Sequence, residues 1–170
     1  MSPMYTAPPS SLEQIVDNPN SFPRDILAGA NTGLCVFAAE WHGKQDAQWL
    51  AKAGMTATCV DLNRTRLDEM ERIYPSDWKF TDWDAFTFRD ASIQNNRKWD
   101  VVTADPFTGE AMDRCHRELD RWCALANQAV VMGSTIIQTI DRAPFGWKIT
   151  GRVYRGDYVG GVYWTVLKPC

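Results

Sequence analysis

The chain has 170 residues, a formal net charge of −3, 45% apolar and 23% charged residues. That is one domain's length, enough to bury roughly two-thirds of the unfolded surface around a single core; the acidic balance argues against holding an extended duplex nucleic acid through phosphate neutralisation. Five cysteines without a CxxC pair point to a reducing, cytoplasmic setting and to no metal site, and no run approaches the 18 uninterrupted apolar residues of a membrane span.

Residues 1–10 carry three prolines and no periodicity and read as a mobile arm, which leaves 11–170 as one ordered domain. Ser10 or Ser11 caps a short helix in SLEQIVDN, with Glu13 or Gln14 three residues on, and Pro23 opens a second in PRDILAGA. LCVFAA (34–39) is an apolar run of strand length, as in a parallel strand covered on both faces. GKQDAQWLAKAG (43–54) sets Ala47, Leu50 and Ala51 on one stripe of a helix closed by Gly54. TATCVD (56–61) is the next strand, and Asn63 caps a helix whose Leu67, Met70 and Tyr74 share a face.

A short strand is expected near Trp78–Phe80, then a polar loop or weak helix in ASIQNNRK. WDVVTAD (99–105) is a strand stopped by Pro106. TGEAMDRCHRELDRWCALA (108–126) reads as one long helix with Met112, Cys115, Leu119, Trp122 and Ala126 on its buried stripe. NQAVVMGS (127–134) is a fifth strand, 135–142 a helix ahead of Pro144. GWKITGRVY and GGVYWTVLKP leave no room for a helix between them and pair antiparallel. The whole is a three-layer α/β sandwich with a mostly parallel seven-stranded sheet and a C-terminal antiparallel hairpin.

In such a sheet ligands bind beyond the C-terminal strand ends, where the topology reverses. The residues there are Glu40 to Lys44, Asp61, Asp82 to Phe86, and Asp105 with Pro106 and Phe107. Each aspartate alone could be an ordinary cap of a loop or turn; their joint placement is what favours a site. His42 has no evident Asp or Ser partner for a dyad, Cys115 and His116 sit mid-helix, and Cys35 and Cys59 in adjacent strands read as small core residues. A nicotinamide site would require G-x-G-x-x-G opening the first helix, and the loop AAEWHGK has no such triplet.

This layout resembles the class I S-adenosylmethionine-dependent methyltransferases over about residues 30–168. WLAKAGMTATCVDLN is similar to the family's first helix and second strand, which implies that Asp61 binds the ribose hydroxyls of the cofactor. In DWDAF, Asp84 matches the acidic residue beside the adenine amino group, with Ala85 and Phe86 at the ring. Asp105-Pro106-Phe107 resembles the Asp-Pro-Pro-Phe/Tyr motif of amino-methylating members with one proline missing, which implies that Asp105 orients an acceptor amine and Phe107 stacks on it. The acceptor would be an amine or another nucleophile of a small molecule, a nucleotide or a protein side chain.

The first loop departs from the family. Glu40, His42 and Lys44 stand where three glycines belong, and Gly43 is one position out of register. Two outcomes follow. Glu40 pairs with the cofactor's ammonium and Lys44 with its carboxylate, giving weak binding through side chains in place of a backbone cradle. Alternatively Glu40, Trp41 and His42 fill the pocket, and the chain is an inactive interaction module whose Trp-rich surface at Trp41, Trp83 and Trp147 meets a protein partner.

Overall fold

A computed structural model of the chain describes residues 29–40, 43–154 and 163–170. The expected N-terminal arm, the two helices ahead of Gly29, and the loop residues Trp41 and His42 lie outside the described residues. In chain order the elements are β1 (Thr32–Val36), α1 (Gly43–Lys52), β2 (Thr56–Val60), α2 (Arg64–Glu71), β3 (Lys79–Thr81), α3 (Ala85–Gln94), β4 (Trp99–Ala104), α4 (Gly109–Arg117), α5 (Leu119–Cys123), β5 (Ala126–Ser134), β6 (Trp147–Tyr154) and β7 (Tyr163–Pro169). The strands form one sheet in the order β3-β2-β1-β4-β5-β7-β6. β1 to β5 are parallel, and β7 runs antiparallel to both β5 and β6.

The continuous apolar strands are explained by a core on each side of this sheet. Cys35, Cys59, Val101, Val131 and Val166 face α1 and α2, packing with Leu50, Leu67 and Met70. Their neighbours Leu34, Val36, Val60, Val102, Val130 and Leu167 face the other way, against Phe86, Phe88, Leu119 and Trp122. Alternate residues of one strand thus enter opposite cores, and both faces are predominantly apolar. Cys35 and Cys59 are register partners, both fully buried.

Three elements differ from the sequence reading. The weak helix of ASIQNNRK starts earlier: α3 begins at Ala85, because Asp84 caps it by accepting from Thr87 N (2.9 Å) and Thr87 Oγ1 (3.0 Å). The long helix of 108–126 breaks at Glu118, yet its predicted stripe is buried throughout. At the break Glu118 turns its carboxylate to Arg89 Nη2 (2.7 Å) and Arg114 Nε (2.9 Å). The Arg89 guanidinium is itself fully buried between the rings of Phe86 and Trp122.

The third difference is 135–142, which is no helix. Thr135 closes a turn instead, donating its backbone N–H to Gln138 O and accepting Gln138 N on its hydroxyl, both at 3.0 Å. The hydroxyl offers the backbone an alternative partner, and the β-branched pair Ile136 and Ile137 resists helix formation. Gln138 Nε2 then donates to Gly109 O at 2.8 Å, which ties this loop to the start of α4.

Candidate functional site

The loop after β1 is set by Phe37, whose φ of 58° is unusual for a non-glycine residue and turns the chain out of the strand earlier than the apolar run implies. The turn brings Ala38 N to Val60 O (3.2 Å) and Ala39 N to Asp61 Oδ2 (3.0 Å), so β1 and β2 are cross-linked at their ends. The Phe37 ring meets Phe86 edge-on at 5.9 Å. Gly43 opens α1 against this turn, and a Cβ there would collide with the carbonyl oxygen of Phe37. The loop's glycine therefore has a packing requirement of its own.

The three aspartates expected to share one sheet edge do so, each following a parallel strand. Asp61 is nearly enclosed, with Oδ2 on Ala39 N and Oδ1 on Asn63 N (2.9 Å). Burial raises its pKa, and those backbone N–H groups work the other way. Asp84 is half-buried at the start of α3, and Ala85 and Phe86 behind it are buried. Asp105 is fully enclosed: its Oδ2 accepts from Trp164 Nε1 at 3.2 Å, and it packs so closely on Gly133 of β5 that no Cβ fits there. The same indole N–H reaches Asp46 Oδ1 of α1 at 2.8 Å.

Glu40 does something the sequence does not reveal. Its Oε2 accepts from the backbone N of Phe107 at 2.7 Å, a bond that spans from the loop after β1 to the loop after β4. Strand order reverses between those two strands, so the bond crosses the crevice where open α/β sheets hold ligands. Burial pushes the Glu40 carboxyl up to about 7; the Phe107 bond opposes this, and the charges of Asp61 and Asp105 add to it. Lys44 is enclosed in α1, its pKa lowered to about 8 by burial and by the charge of Arg66. The ring of Phe107 stays exposed beside the crevice.

Asp46, Trp164 and Gly133 were not singled out by sequence reasoning. Asp46 carried a usable signal, since it lies one turn before Leu50 on the buried side of α1. Trp164 had none before the register of β7 was known. Of the tryptophans named for a partner surface, Trp83 is exposed, Trp147 is half-buried against the core, and Trp41 is outside the described residues.

A seven-stranded sheet in this order, closed by an antiparallel C-terminal pair, is the fold of the class I methyltransferases. No protein-family model matches the chain, and no curated protein matches it in sequence. Solved structures do. A protein from Streptococcus mutans, named a putative SAM-dependent methyltransferase, superposes with a TM-score of 0.63 at 12% identity, over 84% of this chain and 46% of that one. The Escherichia coli protein yhhF, named a putative methyltransferase, gives 0.63 at 14% identity, over 85% and 80%. Magnesium protoporphyrin IX methyltransferase from Synechocystis, solved with bound SAM, gives 0.55 at 13%, over 85% and 72%. The chain spans less than half the length of the Streptococcus mutans protein. Among the described residues, no helix is long and apolar enough to cross a membrane.

Proposed function

We propose that the chain is an S-adenosylmethionine-dependent methyltransferase acting on an amine or other nucleophile of a small molecule, a nucleotide or a protein side chain. The observation that carries this reading is Asp61. Its carboxylate stands at the end of β2, fixed by one N–H from the β1 loop and one from its own loop, and each oxygen keeps acceptor capacity for a ribose hydroxyl. The residues therefore fit the cofactor at its adenosine end, with Asp84, Ala85 and Phe86 at the start of α3 as the base-binding side. The cofactor supplies an electrophilic methyl group on sulfur.

The chain's own part is positioning: a displacement in line with the departing sulfur gains most from holding the acceptor in a near-attack geometry. Phe107 offers an exposed ring for a planar acceptor, and Asp105 anchors the start of the acceptor loop in the interior by accepting from Trp164 Nε1. Lys44, at the N-terminal end of α1, is suited to the carboxylate of the cofactor's methionine part. Calorimetric titration with S-adenosylmethionine and S-adenosylhomocysteine tests the reading. Binding weaker than micromolar is expected, because ordering side chains costs entropy that a glycine cradle does not; absence of binding at millimolar ligand overturns it.

A second reading, an inactive interaction module, is favoured by the exposed Leu62, Trp83, Phe107, Ile136 and Ile137, all borne on loops at this same edge. It takes the lead if neither ligand binds.

A further inference from the structure

The first loop of this chain bears a carboxylate where the resemblance calls for glycine, and that carboxylate does not stay with its own loop. Glu40 Oε2 is bonded to Phe107 N at 2.7 Å, across the crevice between β1 and β4. On one side of it lies Asp61 after β2, assigned above to the ribose; on the other lies the Asp105-Pro106-Phe107 loop, assigned to the acceptor. β1 stands between β2 and β4 in the sheet. A group transferred from the ligand over β2 to the ligand over β4 must pass the place where Glu40 stands.

Asp105 is poorly placed to serve an incoming nitrogen. It is fully enclosed, its carboxylate set between the indole of Trp164 and the backbone of Gly133. Glu40 is only half-buried, and its second oxygen, Oε1, is not the one engaged by Phe107. The fold therefore has a carboxylate on the acceptor loop after all, supplied from the neighbouring loop.

Resting on the methyltransferase reading, we propose that Glu40 faces the position of the transferred methyl group and takes the proton released by the acceptor, an amine that carries hydrogen. As the nitrogen lone pair forms the new N–C bond, the C–S bond breaks with its electron pair on sulfur, leaving a neutral thioether. The methylated nitrogen then carries the positive charge and passes its proton to the Glu40 carboxylate. An acceptor without a hydrogen to release has no use for such a group. The charges that face Glu40 are Asp61 after β2 and Asp105 after β4; burial and, after it, these two aspartates hold Glu40 near 7 against the bond from Phe107 N, and a general base works best near neutral pH.

The placement differs from a contact to the cofactor's ammonium, and two ligands separate them. S-adenosylhomocysteine has the methionine ammonium and no group at the methyl position. Sinefungin has the same ammonium and a second amine where the methyl would stand. Both are titrated calorimetrically into the full chain and into Glu40→Gln at pH 8 and pH 6, with thermal unfolding of each protein as a folding control. Gln keeps an oxygen for Phe107 N, so the loops stay joined.

The expected result is that wild type binds sinefungin at least about tenfold more tightly than S-adenosylhomocysteine at pH 8, that this preference shrinks at pH 6, and that Glu40→Gln abolishes it while changing the affinity for S-adenosylhomocysteine less than about threefold. Equal weakening of both ligands would place Glu40 on the methionine ammonium and overturn the proposal. No change in either would leave Glu40 as a mere tie between loops and overturn it too. Failure of wild type to bind either ligand would remove the methyltransferase reading itself, and the proposal with it.

Discussion

The indole N–H of Trp164 lies 3.2 Å from Asp105 Oδ2, joining β7 to the end of β4 in the interior of the protein, and it is shared with Asp46 Oδ1 at 2.8 Å. One donor thus serves two buried carboxylates, one on α1 and one at the end of β4. A carboxylate out of water is tolerated when donors and compensating charge meet it. Trp164→Phe keeps most of the packing volume and deletes the donor. The loss should be about 1–3 kcal/mol of stability in chemical denaturation. Asp105→Asn in that background should recover part of it, because one of two neighbouring negative charges is gone. Additive effects of the two substitutions would show that the shared N–H does not couple them.

Asp61 offers a test in which binding and stability separate. Asp61→Ala deletes the acceptor for Ala39 N and Asn63 N, so it should weaken S-adenosylhomocysteine binding and also lower stability by about 1–3 kcal/mol. Asp61→Asn retains an acceptor oxygen, and its amide can still donate to a hydroxyl. It should restore much of the stability while binding remains at least about tenfold weaker, since the charged contact is lost. Wild-type affinity in Asp61→Ala would remove this residue from the site.

The strands of this fold were readable because both faces of the sheet are covered: runs such as LCVF (34–37) and AVVM (129–132) are apolar at every position. Asp61, Asp84 and Asp105 were readable because each ends or follows such a run. What the sequence concealed was long-range. Nothing local says that Glu40 bonds a backbone N–H 67 residues away, or that Trp164 bonds a carboxylate 118 residues away. The misread segment 135–142 failed for a local reason, a threonine hydroxyl competing with helical backbone bonds at Gln138. Asp84 illustrates the reverse case, where the modest reading of the residue as a cap is what the geometry displays.

The glycine of the first loop can be tested for what it touches. Gly43→Ala would drive a methyl group into the Phe37 carbonyl, so the α1 terminus must shift; the cost should be about 1–3 kcal/mol, with or without ligand. Gly54→Ala makes a useful comparison, because Gly54 has a φ of 79° with open space around it, and its cost should be about 1 kcal/mol from conformation alone. A Gly43→Ala protein that melts like wild type and has lost only ligand binding would mean that the glycine serves the ligand and that the loop yields easily.

The last prediction concerns the free energy of keeping Glu40 where it is. Its carboxyl is raised from 4.5 to about 7 in the folded protein, chiefly by burial, so the folded state holds a proton that the unfolded chain has released. Between those two values stability must fall as pH rises, and above about 7 the loss is complete. Partial exposure of the side chain reduces the penalty, which we place at about 1–2 kcal/mol. Glu40→Gln resembles the protonated acid and keeps the bond from Phe107 N. Near pH 4.5 the two proteins should unfold alike; at pH 8 Glu40→Gln should be the more stable by that amount, with the gap opening between pH 5 and 7. Because Asp61 and Lys44 are present in both proteins, their own titration largely cancels in the difference. Parallel stability curves across this range would mean that Glu40 is not desolvated, and that the crevice between β1 and β4 is open to water around it. A stabilising substitution at this position is what a group retained for chemistry, at the expense of the fold, should produce.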